Sequence, residues 1–370
     1  MNTLGHLFKL TTFGESHGAA IGGVVDGCPS QLKLDFYFIE KELLRRKTAQ
    51  SSTSSQRQES DKIEWLSGLL DGVTLGTPIA FMVRNVDAKS ADYEALKDIY
   101  RPSHADFTYE QKYGMRDWRG GGRASARTTL PIVVAGAIAK QLLDEKGIRI
   151  SAGVTCIGDA EQARKEGDTV GGIVECRIVG APAGLGEPMY GKFSAELAHA
   201  MFSLPAVKGF EIGDGFALAK MRGSEANDTF INMDAGLRDA GLRDAGLRDV
   251  GLRDARLWDA RLRDAEPRDA RLRDAGRGTE DLRICTATNH SGGIQGGITN
   301  GNDVVFRVAF KPIPSISKPQ QTVNRAGEAC TVAIEGRHDV CALPRAVVLV
   351  EALAAMVTVD LVMMAKQLSF

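Results

Sequence analysis

The chain has 370 residues, of which 43% are hydrophobic and 25% charged, and its net charge is −1. This composition is typical of a soluble globular protein with a large core, and the balanced charge argues against a nucleic-acid partner. Six widely spaced cysteines without a Cys-x-x-Cys pair, and a beginning that lacks signal-peptide regions, predict a cytoplasmic protein with reduced thiols and no metal site.

The first hundred residues predict strands, one helix and a polar loop. Short apolar runs broken by glycine predict strands and tight turns over 7–35, and Phe36–Arg46 has helical spacing. The stretch 47–60 is rich in Ser, Thr and Gln, which predicts a mobile loop able to act as a lid. Strand-like runs return over 63–83, and a short helix is expected over 90–100.

The second part of the chain mixes helices and strands without regular alternation. An apolar run over 130–143 predicts a buried helix, and a further helix is expected over 194–202. Strands and connections are expected over 148–180 and 208–222, and a glycine-rich segment followed by a strand over 284–310. This order favours an α+β fold over a doubly wound sheet.

The segment 346–365 is long and apolar enough to suggest a membrane span. It contains Glu351 and Asp360, each of which is costly in the middle of a bilayer. Pro344 fits the first turn of a helix. We therefore expect a helix buried in the core, and no membrane partner.

A repeat of five residues occupies 234–278, with aspartate at 234, 239, 244, 249, 254, 259, 264, 269 and 274. Five residues advance a helix by about 140°, so the leucines form no stripe, and on a strand they alternate between faces. Pentapeptide-repeat β-helices offer a faint resemblance, but Pro267 interrupts the short array. We expect a solvated insertion, helical or disordered, without a part in the chemistry, within a single domain over 1–370.

Three segments in the first 127 residues have the composition of a site for an anion. Histidines stand in Gly14-Glu15-Ser16-His17-Gly18 and in Arg101-Pro102-Ser103-His104-Ala105-Asp106, where Asp106 is placed to orient the His104 ring. The run Arg119-Gly120-Gly121-Gly122-Arg123-Ala124-Ser125-Ala126-Arg127 exposes backbone N–H groups beside arginines, and Ser125 can cap the helix that follows.

Later segments add a second glycine loop and further charges. Asn289–Gly297 allows a close backbone approach, Lys311–Ser315 places a cation in a proline-rich turn, and Arg337-His338-Asp339 sets an anion-binding side chain beside a possible base. No P-loop, GxGxxG followed by a helix, HExxH or GxSxG element is present, so nucleotide, zinc and hydrolase functions lack support. The site residues indicate an enzyme for a small, highly anionic substrate.

Taken in order, these segments resemble the chorismate synthase family over nearly the whole chain apart from 234–278. The segment Ala206-Val207-Lys208-Gly209-Phe210-Glu211-Ile212-Gly213 belongs to the same resemblance. It implies a β-α-β sandwich with central buried helices, commonly a homotetramer. It also implies a lyase that forms chorismate from 5-enolpyruvylshikimate 3-phosphate by 1,4-elimination of phosphate with reduced FMN. NADP is associated with the family, but the chain has no separate nicotinamide motif, so we expect an external flavin reductant.

The resemblance also implies a role for individual residues. His17 would donate a proton toward the leaving phosphate, His104 would stabilise the reduced flavin, and Asp339 would help to move the proton taken from the substrate. Substrate contacts are expected from Arg46 or Lys47, Arg123, Arg127 and Arg337. The expected FMN contacts are Arg123, Ala124, Ser125, Pro205, Ala206, Gly296, Lys311, Pro312, Ile313, Pro314, Ser315 and Arg337.

Some positions depart from the family pattern. The lid segment Arg45-Arg46-Lys47-Thr48-Ala49-Gln50-Ser51-Ser52 lacks the usual proline, glycine and last cation. Ala124 stands where serine is common, and Thr128 where glutamate is usual. Losing a charged contact to phosphate costs about 1.5–3 kcal/mol. A weakened or inactive flavin- or anion-binding homologue is therefore the alternative to an active lyase.

Overall fold

The computed structural model describes residues 1–47, 61–86, 90–232, 284–334 and 339–368. The repeat over 234–278, Arg337 and the lid beyond Lys47 lie outside these ranges.

An antiparallel sheet of five strands forms the first layer. Its strands in spatial order are β1 (Thr3–Leu4), β2 (Lys9–Phe13), β3 (Ala20–Asp26), β7 (Ile79–Arg84) and β4 (Glu64–Trp65). Between β4 and β7, a separate hairpin contains β5 (Leu69–Leu70) and β6 (Val73–Thr74). The predicted strands over 7–35 and 63–83 are therefore confirmed.

Helix α1 (Phe36–Arg46) follows the first three strands and has the predicted bounds. The Asp35 side chain caps it by accepting a hydrogen bond from the Phe38 N–H at 2.9 Å. Ile39 and Leu43, four residues apart, are buried against the core. The cap and the apolar spacing thus account for both the start and the orientation of the helix.

A second antiparallel sheet forms the opposite layer. Its strands in spatial order are β10 (Val207–Ile212), β15 (Val304–Phe310), β9 (Gly172–Val179) and β8 (Arg149–Ile157). In β15 every second residue is buried, which matches the side-chain alternation of a strand with one face on the core. Smaller elements complete this half, namely α2 (Asp106–Tyr113), α4 (Ala160–Lys165), α5 (Phe193–Phe202), α6 (Gly223–Ala226), and the hairpins β11 (Phe230–Asn232) with β12 (Ile284–Thr286), β13 (Ile294–Gln295) with β14 (Ile298–Thr299), and β16 (Gln320–Val323) with β17 (Ala329–Val332).

Two apolar helices, α3 (Leu130–Asp144) and α7 (Leu343–Leu368), lie between the sheets. They approach closely at Gly136, where an added Cβ would overlap Ala352. Helix α7 is long and apolar enough to cross a membrane, but 83% of its most apolar stretch is buried inside the protein. The α+β fold and both central helices are as predicted.

Two segments differ in detail from what the sequence predicts. In 208–222, where strands and connections are expected, the strand ends at Ile212, because Gly213 and Gly215 adopt positive φ angles of 56° and 52° and turn the chain into a 3-10 helix over Gly215–Lys220. The short helix expected over 90–100 is present as a 3-10 helix that ends at Leu96.

Candidate active site

A cleft of 2490 Å³ opens beside the two central helices. Its walls come from the loops after β2 and α2, the triple-glycine loop, the ends of β10 and β15, and the first turns of α7. Ligand sites for one small molecule usually measure about 300–1,000 Å³. The cleft is therefore large enough for two ligands side by side.

His17 lies buried at the edge of this cleft. Its Nδ1 lies 3.1 Å from the Ser16 hydroxyl, which in turn donates to the Gly120 carbonyl at 3.3 Å. Since the hydroxyl proton is used by Gly120, Nδ1 carries a hydrogen that it donates to Ser16 Oγ, and Nε2 is the nitrogen that Ser16 does not contact. The Tyr93 ring meets the imidazole edge to face at a centroid distance of 5.2 Å. The ring is thus held from two sides.

His104 is held by a different partner, the buried carboxylate of Asp106. Its Nδ1 lies 3.0 Å from Asp106 Oδ1, and Arg101 forms a bidentate pair with the same carboxylate at 2.8 and 2.7 Å. Burial by itself raises the pKa of Asp106, but the hydrogen bonds and charges of Arg101 and His104 outweigh it and hold this pKa well below its usual range. An ionised Asp106 accepts the Nδ1 hydrogen, which confirms the predicted orienting contact and directs Nε2 away from Asp106.

The triple-glycine loop brings the two imidazoles together. A Cβ at Gly120 would overlap the His17 ring, and a Cβ at Gly121 would lie 3.1 Å from Cε1 and 3.3 Å from Nε2 of His104. Because consecutive Cα atoms are about 3.8 Å apart, the two rings are separated by roughly 12 Å at most. Both glycines also have positive φ angles, 60° and 85°. The run of glycines is therefore required by the shape of this wall and by its backbone conformation.

Two cations in the cleft have neutral partners. Arg123 donates to Gly14 O at 3.1 Å and Thr12 Oγ1 at 2.7 Å, and Lys311 Nζ donates to the carbonyl oxygen of Ser103 at 2.9 Å and to its hydroxyl. Within the described ranges, neither cation lies within ion-pair distance of a carboxylate. Burial and the charge of Lys208 lower the pKa of Lys311. These two positive charges remain available to an anionic ligand.

Strained backbone marks the same cleft. Ser103 and Ala206 line it with positive φ angles of 59° and 70°, a conformation that residues with a Cβ rarely adopt. The Lys311 N–H donates to the Ala206 carbonyl at 2.9 Å, and the Lys311 side chain binds Ser103. Lys311 therefore connects both strained positions to the end of β15.

Asp339 lines the cleft beside the beginning of α7. Its Oδ2 lies 3.1 Å from Nη1 of Arg345. An arginine in the first turn of a helix is disfavoured by the helix dipole, and a carboxylate ahead of that turn offsets the cost. The pair places a carboxylate and a guanidinium together at the wall of the cleft.

Arg46 and Arg127 meet at Asp61, outside the cleft. Asp61 accepts from both guanidinium groups at 2.9 Å, and all three side chains are at least nine-tenths buried. Burial alone raises the pKa of Asp61, but the charges and hydrogen bonds of the two arginines lower it overall. Asn85 accepts from Arg127 Nε at 2.7 Å and donates to two carbonyls of the His17 loop. The cluster is therefore tied to the wall that holds His17.

Most of the expected site residues lie on one surface. Those that line the cleft are His104, Arg123, Ala124, Ser125, Pro205, Ala206, Lys311, Ile313, Pro314, Ser315 and Asp339. His17 meets the cleft wall through Gly120, and Pro312 lies between lining residues. Gly296 lies in the turn between β13 and β14, away from the cleft lining, and Lys47 caps the end of α1. Ser125 accepts from the Arg127 N–H, as predicted for a cap.

Sequence reasoning missed several residues of the site. Asp61, Asn85, Tyr93, Asp117 and Arg345 stand in segments without a distinctive motif. Their placement depends on long-range packing, so spacing along the chain carries no signal for them. The described residues contain no group of three or more His, Cys, Asp or Glu side chains arranged to hold a metal ion.

The fold and the cleft define a class of protein, an α+β protein in which two imidazoles and two cations bound to neutral oxygens lie around one cleft. The family model of chorismate synthase matches residues 8–165 and 159–363. The chain therefore belongs to the chorismate synthase family.

Individual relatives agree with this assignment. A chorismate synthase from Porphyromonas gingivalis is 47% identical, with 97% of this chain and 95% of the relative covered. Another from Cytophaga hutchinsonii is 44% identical, with 97% and 96% covered. A crystal structure of chorismate synthase superposes with a TM-score of 0.67 at 26% identity, and covers 99% of this chain and 93% of its own.

Proposed function

We propose that this protein is an active carbon–oxygen lyase that converts 5-enolpyruvylshikimate 3-phosphate into chorismate and phosphate by 1,4-elimination. The observation that carries the proposal is that the imidazoles of His17 and His104 pack against the adjacent glycines Gly120 and Gly121 at the wall of the cleft. The cations of that cleft with no carboxylate partner among the described residues add to it. This site would serve a step of the shikimate pathway, and so aromatic amino acid biosynthesis.

The substrate carries two carboxylates and a phosphate, so it needs several cations. Arg123 and Lys311 supply two whose hydrogen bonds go to neutral oxygens. Arg46 and Arg127 add positive charge behind the His17 wall, where they are buried outside the cleft lining and share the Asp61 carboxylate. Charge-assisted hydrogen bonds to phosphate and carboxylate are strong and directional.

His17 is the proton donor to the leaving phosphate in this proposal. Its Nδ1 hydrogen is held by Ser16, so the proton that moves is on Nε2. Protonation lowers the charge on the departing group and so favours cleavage of the carbon–oxygen bond. Ser16 and Tyr93 fix the ring, and Gly120 lets the loop pack against it.

His104 and Asp339 act at the other end of the reaction. Asp106 accepts the Nδ1 hydrogen of His104. In the imidazolium form Nε2 carries a second hydrogen, which His104 donates toward the cofactor side of the cleft. Asp339, beside Arg345, accepts the proton that the substrate loses. The proton thus leaves through a carboxylate at the beginning of α7 while the phosphate leaves at the His17 wall.

Reduced FMN fits the remaining residues of the cleft. Its phosphate and ring oxygens would be held by Arg123, Lys311, the Ser125 hydroxyl and the turn that ends at Ser315, with Ala124 beside them and Arg337 as a further proposed contact. The volume of 2490 Å³ admits the cofactor together with the substrate. When bound, reduced flavin would supply an electron transiently and take it back, so the reaction would have no net redox change. We expect an external reductant to supply the reduced flavin.

We further propose that the whole chain acts as one domain in a cytoplasmic homotetramer. Leu66, Leu70 and Leu75 are about half exposed, and apolar side chains of this kind favour association between subunits. Light scattering coupled to gel filtration tests the tetramer, since a monomeric mass would contradict it.

An anaerobic assay tests the proposed activity. Protein, reduced FMN and 5-enolpyruvylshikimate 3-phosphate should give chorismate and an equal amount of phosphate. His104→Ala should lose at least about 100-fold in kcat. His6→Ala, which removes an exposed imidazole outside the cleft, is the matched control and should keep full activity. Flavin binding without product would instead support the inactive homologue.

A further inference from the structure

His17 stands in a tight turn that has a glycine at each end. The loop 14–19 joins β2 to β3, and within it the Gly18 N–H donates to the Glu15 carbonyl at 3.0 Å, which closes the turn. Gly14 adopts a positive φ angle of 91°. Glycine loses more conformational freedom on folding than any other residue, so this loop needs further contacts to hold one position.

Asn85 supplies such contacts from the neighbouring strand. It directly follows β7, the strand that pairs with β3. Its Nδ2 donates to the Glu15 carbonyl at 3.0 Å and to the Gly18 carbonyl at 2.9 Å. Its backbone N–H donates to the Ala19 carbonyl at 3.1 Å. One amide group therefore bridges the first and last residues of the turn that carries His17.

A buried guanidinium fixes the orientation of this amide. Arg127 Nε donates to Asn85 Oδ1 at 2.7 Å, and Arg127 Nη1 donates to Asp61 Oδ1 at 2.9 Å. A guanidinium only donates and a carbonyl only accepts, so a single amide orientation satisfies every contact. The side chains of Arg127 and Asp61 are 9% and 1% exposed, so these hydrogen bonds anchor the amide in the protein interior.

The contacts on the two sides of the Asn85 side chain require an amide. Its NH2 group faces two carbonyl oxygens, and its oxygen faces a guanidinium. A carboxylate of the same shape would keep the guanidinium contact and strengthen it, because charge-assisted hydrogen bonds are the stronger ones. It would also place an oxygen against both carbonyls, which is repulsive. The amide is therefore explained by its hold on the turn, and not by Arg127 alone.

We propose that Asn85 is a positioning residue that holds the turn around His17 where the imidazole can donate its proton. This inference rests on the proposed role of His17 as the proton donor. Asn85 acts through the main chain of the turn, and Arg127 and Asp61 act through Asn85. A displacement of about 1 Å at a reacting group costs about 100-fold in rate, so contacts that fix this main chain bear directly on turnover.

Hydrogen exchange tests the hold on the turn without turnover. Asn85→Asp keeps the size of the side chain and the Arg127 contact, but replaces the two donated hydrogens by a repelling oxygen. Exchange in the peptide over 14–20, followed by mass spectrometry on the full-length protein, should become at least about 10-fold faster. Unchanged exchange would overturn the inference.

Asn324→Asp is the matched control for this experiment. Asn324 Nδ2 donates to Glu328 Oε2 at 2.8 Å in the turn between β16 and β17, outside the cleft lining. The same substitution therefore breaks a side-chain amide contact in another turn. It should leave both the exchange of the peptide over 14–20 and kcat unchanged.

A double-mutant cycle tests whether Asn85 acts through His17. In the wild-type background Asn85→Asp should lower kcat about 10- to 100-fold, with the Kd of reduced FMN unchanged. In the His17→Ala background the same substitution should have no further effect on kcat. An equal loss in both backgrounds would indicate general damage to the site and overturn the inference.

Asn85→Ala covers the case in which Asn85→Asp does not fold. It removes the donated hydrogens without adding a repelling charge, so exchange and kcat should change in the same directions but by less. Unchanged values of both would overturn the inference. Failure of the proposed reaction has a different signature, since full kcat in His17→Ala rejects His17 as the donor. The exchange over 14–20 then decides alone whether Asn85 holds the turn.

Discussion

The core and the cleft both contain buried charges, but they balance them differently. In the core, Arg45 and Lys140 face Glu42 and Glu351, with N–O distances of 2.5–2.8 Å. Two positive and two negative groups thus close a network between α1, α3 and α7. The Ala152 N–H of β8 adds a bond to Glu351 at 3.0 Å.

The cleft leaves two of its cations, Arg123 and Lys311, without a carboxylate within ion-pair distance among the residues that the structure describes. Arg123 and Lys311 are satisfied as hydrogen-bond donors by carbonyl and hydroxyl oxygens of the protein. Satisfying a donor removes the penalty of burial without cancelling its charge. A cation bound only to neutral oxygens is therefore the better indicator of a ligand site, whereas a network with equal numbers of positive and negative groups indicates a structural role.

Breaking the core network should have the largest effect on stability. In Glu351→Gln two cations are left with the single carboxylate of Glu42, so we expect a loss of about 3–5 kcal/mol in the free energy of unfolding. Urea denaturation measures it. The matched control is Glu64→Gln, which removes an exposed partner of Arg84 and should cost less than about 1 kcal/mol. Equal losses in both variants would contradict the comparison.

Acid should act on the same network. Burial raises the pKa of Glu351, but Lys140 and Arg45 outweigh it and lower this pKa to about 2 from 4.5. A carboxyl group whose pKa is lower in the folded than in the unfolded protein stabilises the fold at pH values above its unfolded-state pKa. This stabilisation is lost as the pH falls through its folded-state pKa. Between pH 5 and pH 2 the wild type should therefore lose about 3 kcal/mol more than Glu351→Gln. Denaturation curves at several pH values test this, and parallel losses would refute it.

In the cleft, substitution should change binding more than folding. Arg123→Gln should weaken FMN binding about 10- to 100-fold, because a charged contact is worth about 1.5–3 kcal/mol. Its unfolding free energy should fall by less than that of Glu351→Gln, because the Arg123 hydrogen bonds go to neutral oxygens and no ion pair is broken. Anaerobic fluorescence titration and urea denaturation measure the two effects. Arg84→Gln, on the surface, should bind FMN normally.

The repeat segment should matter least to either region. The segment lies in the connection between β11 and β12. These two strands pair directly, with Asn232 opposite Ile284. Deleting 234–278 shortens the loop between paired ends, which should raise the unfolding free energy by about 2 kcal/mol through a smaller loop-closure entropy. The kcat should stay unchanged. A folded deletion variant without activity would show that the insertion is functional.

Local patterns predicted the elements that depend on local chemistry. Helix α1 combines a capping Asp35 with buried Ile39 and Leu43, so its bounds were readable from the sequence. The apolar helices α3 and α7 were equally clear, because few other structures accommodate such runs. The point within 208–222 at which β10 ends was not predicted, because it depends on the positive φ angles of Gly213 and Gly215.

The site was predictable as a set of residues, but its geometry was not. The histidine loops and the glycine run were visible as separate motifs, and the family resemblance joined them. The packing of Gly120 on His17 and of Gly121 on His104 depends on contacts between distant segments. The same holds for Asp61 between Arg46 and Arg127. Such contacts arise from the tertiary fold, which periodicity does not encode.

The most direct test of the account is a single turnover under anaerobic conditions, with phosphate release followed in wild type and in His17→Ala at equal occupancy by reduced FMN. The account predicts chorismate and equimolar phosphate from the wild type, and release at least about 100-fold slower from His17→Ala. Equal rates with the flavin fully bound, or no chorismate from the wild type, would contradict it.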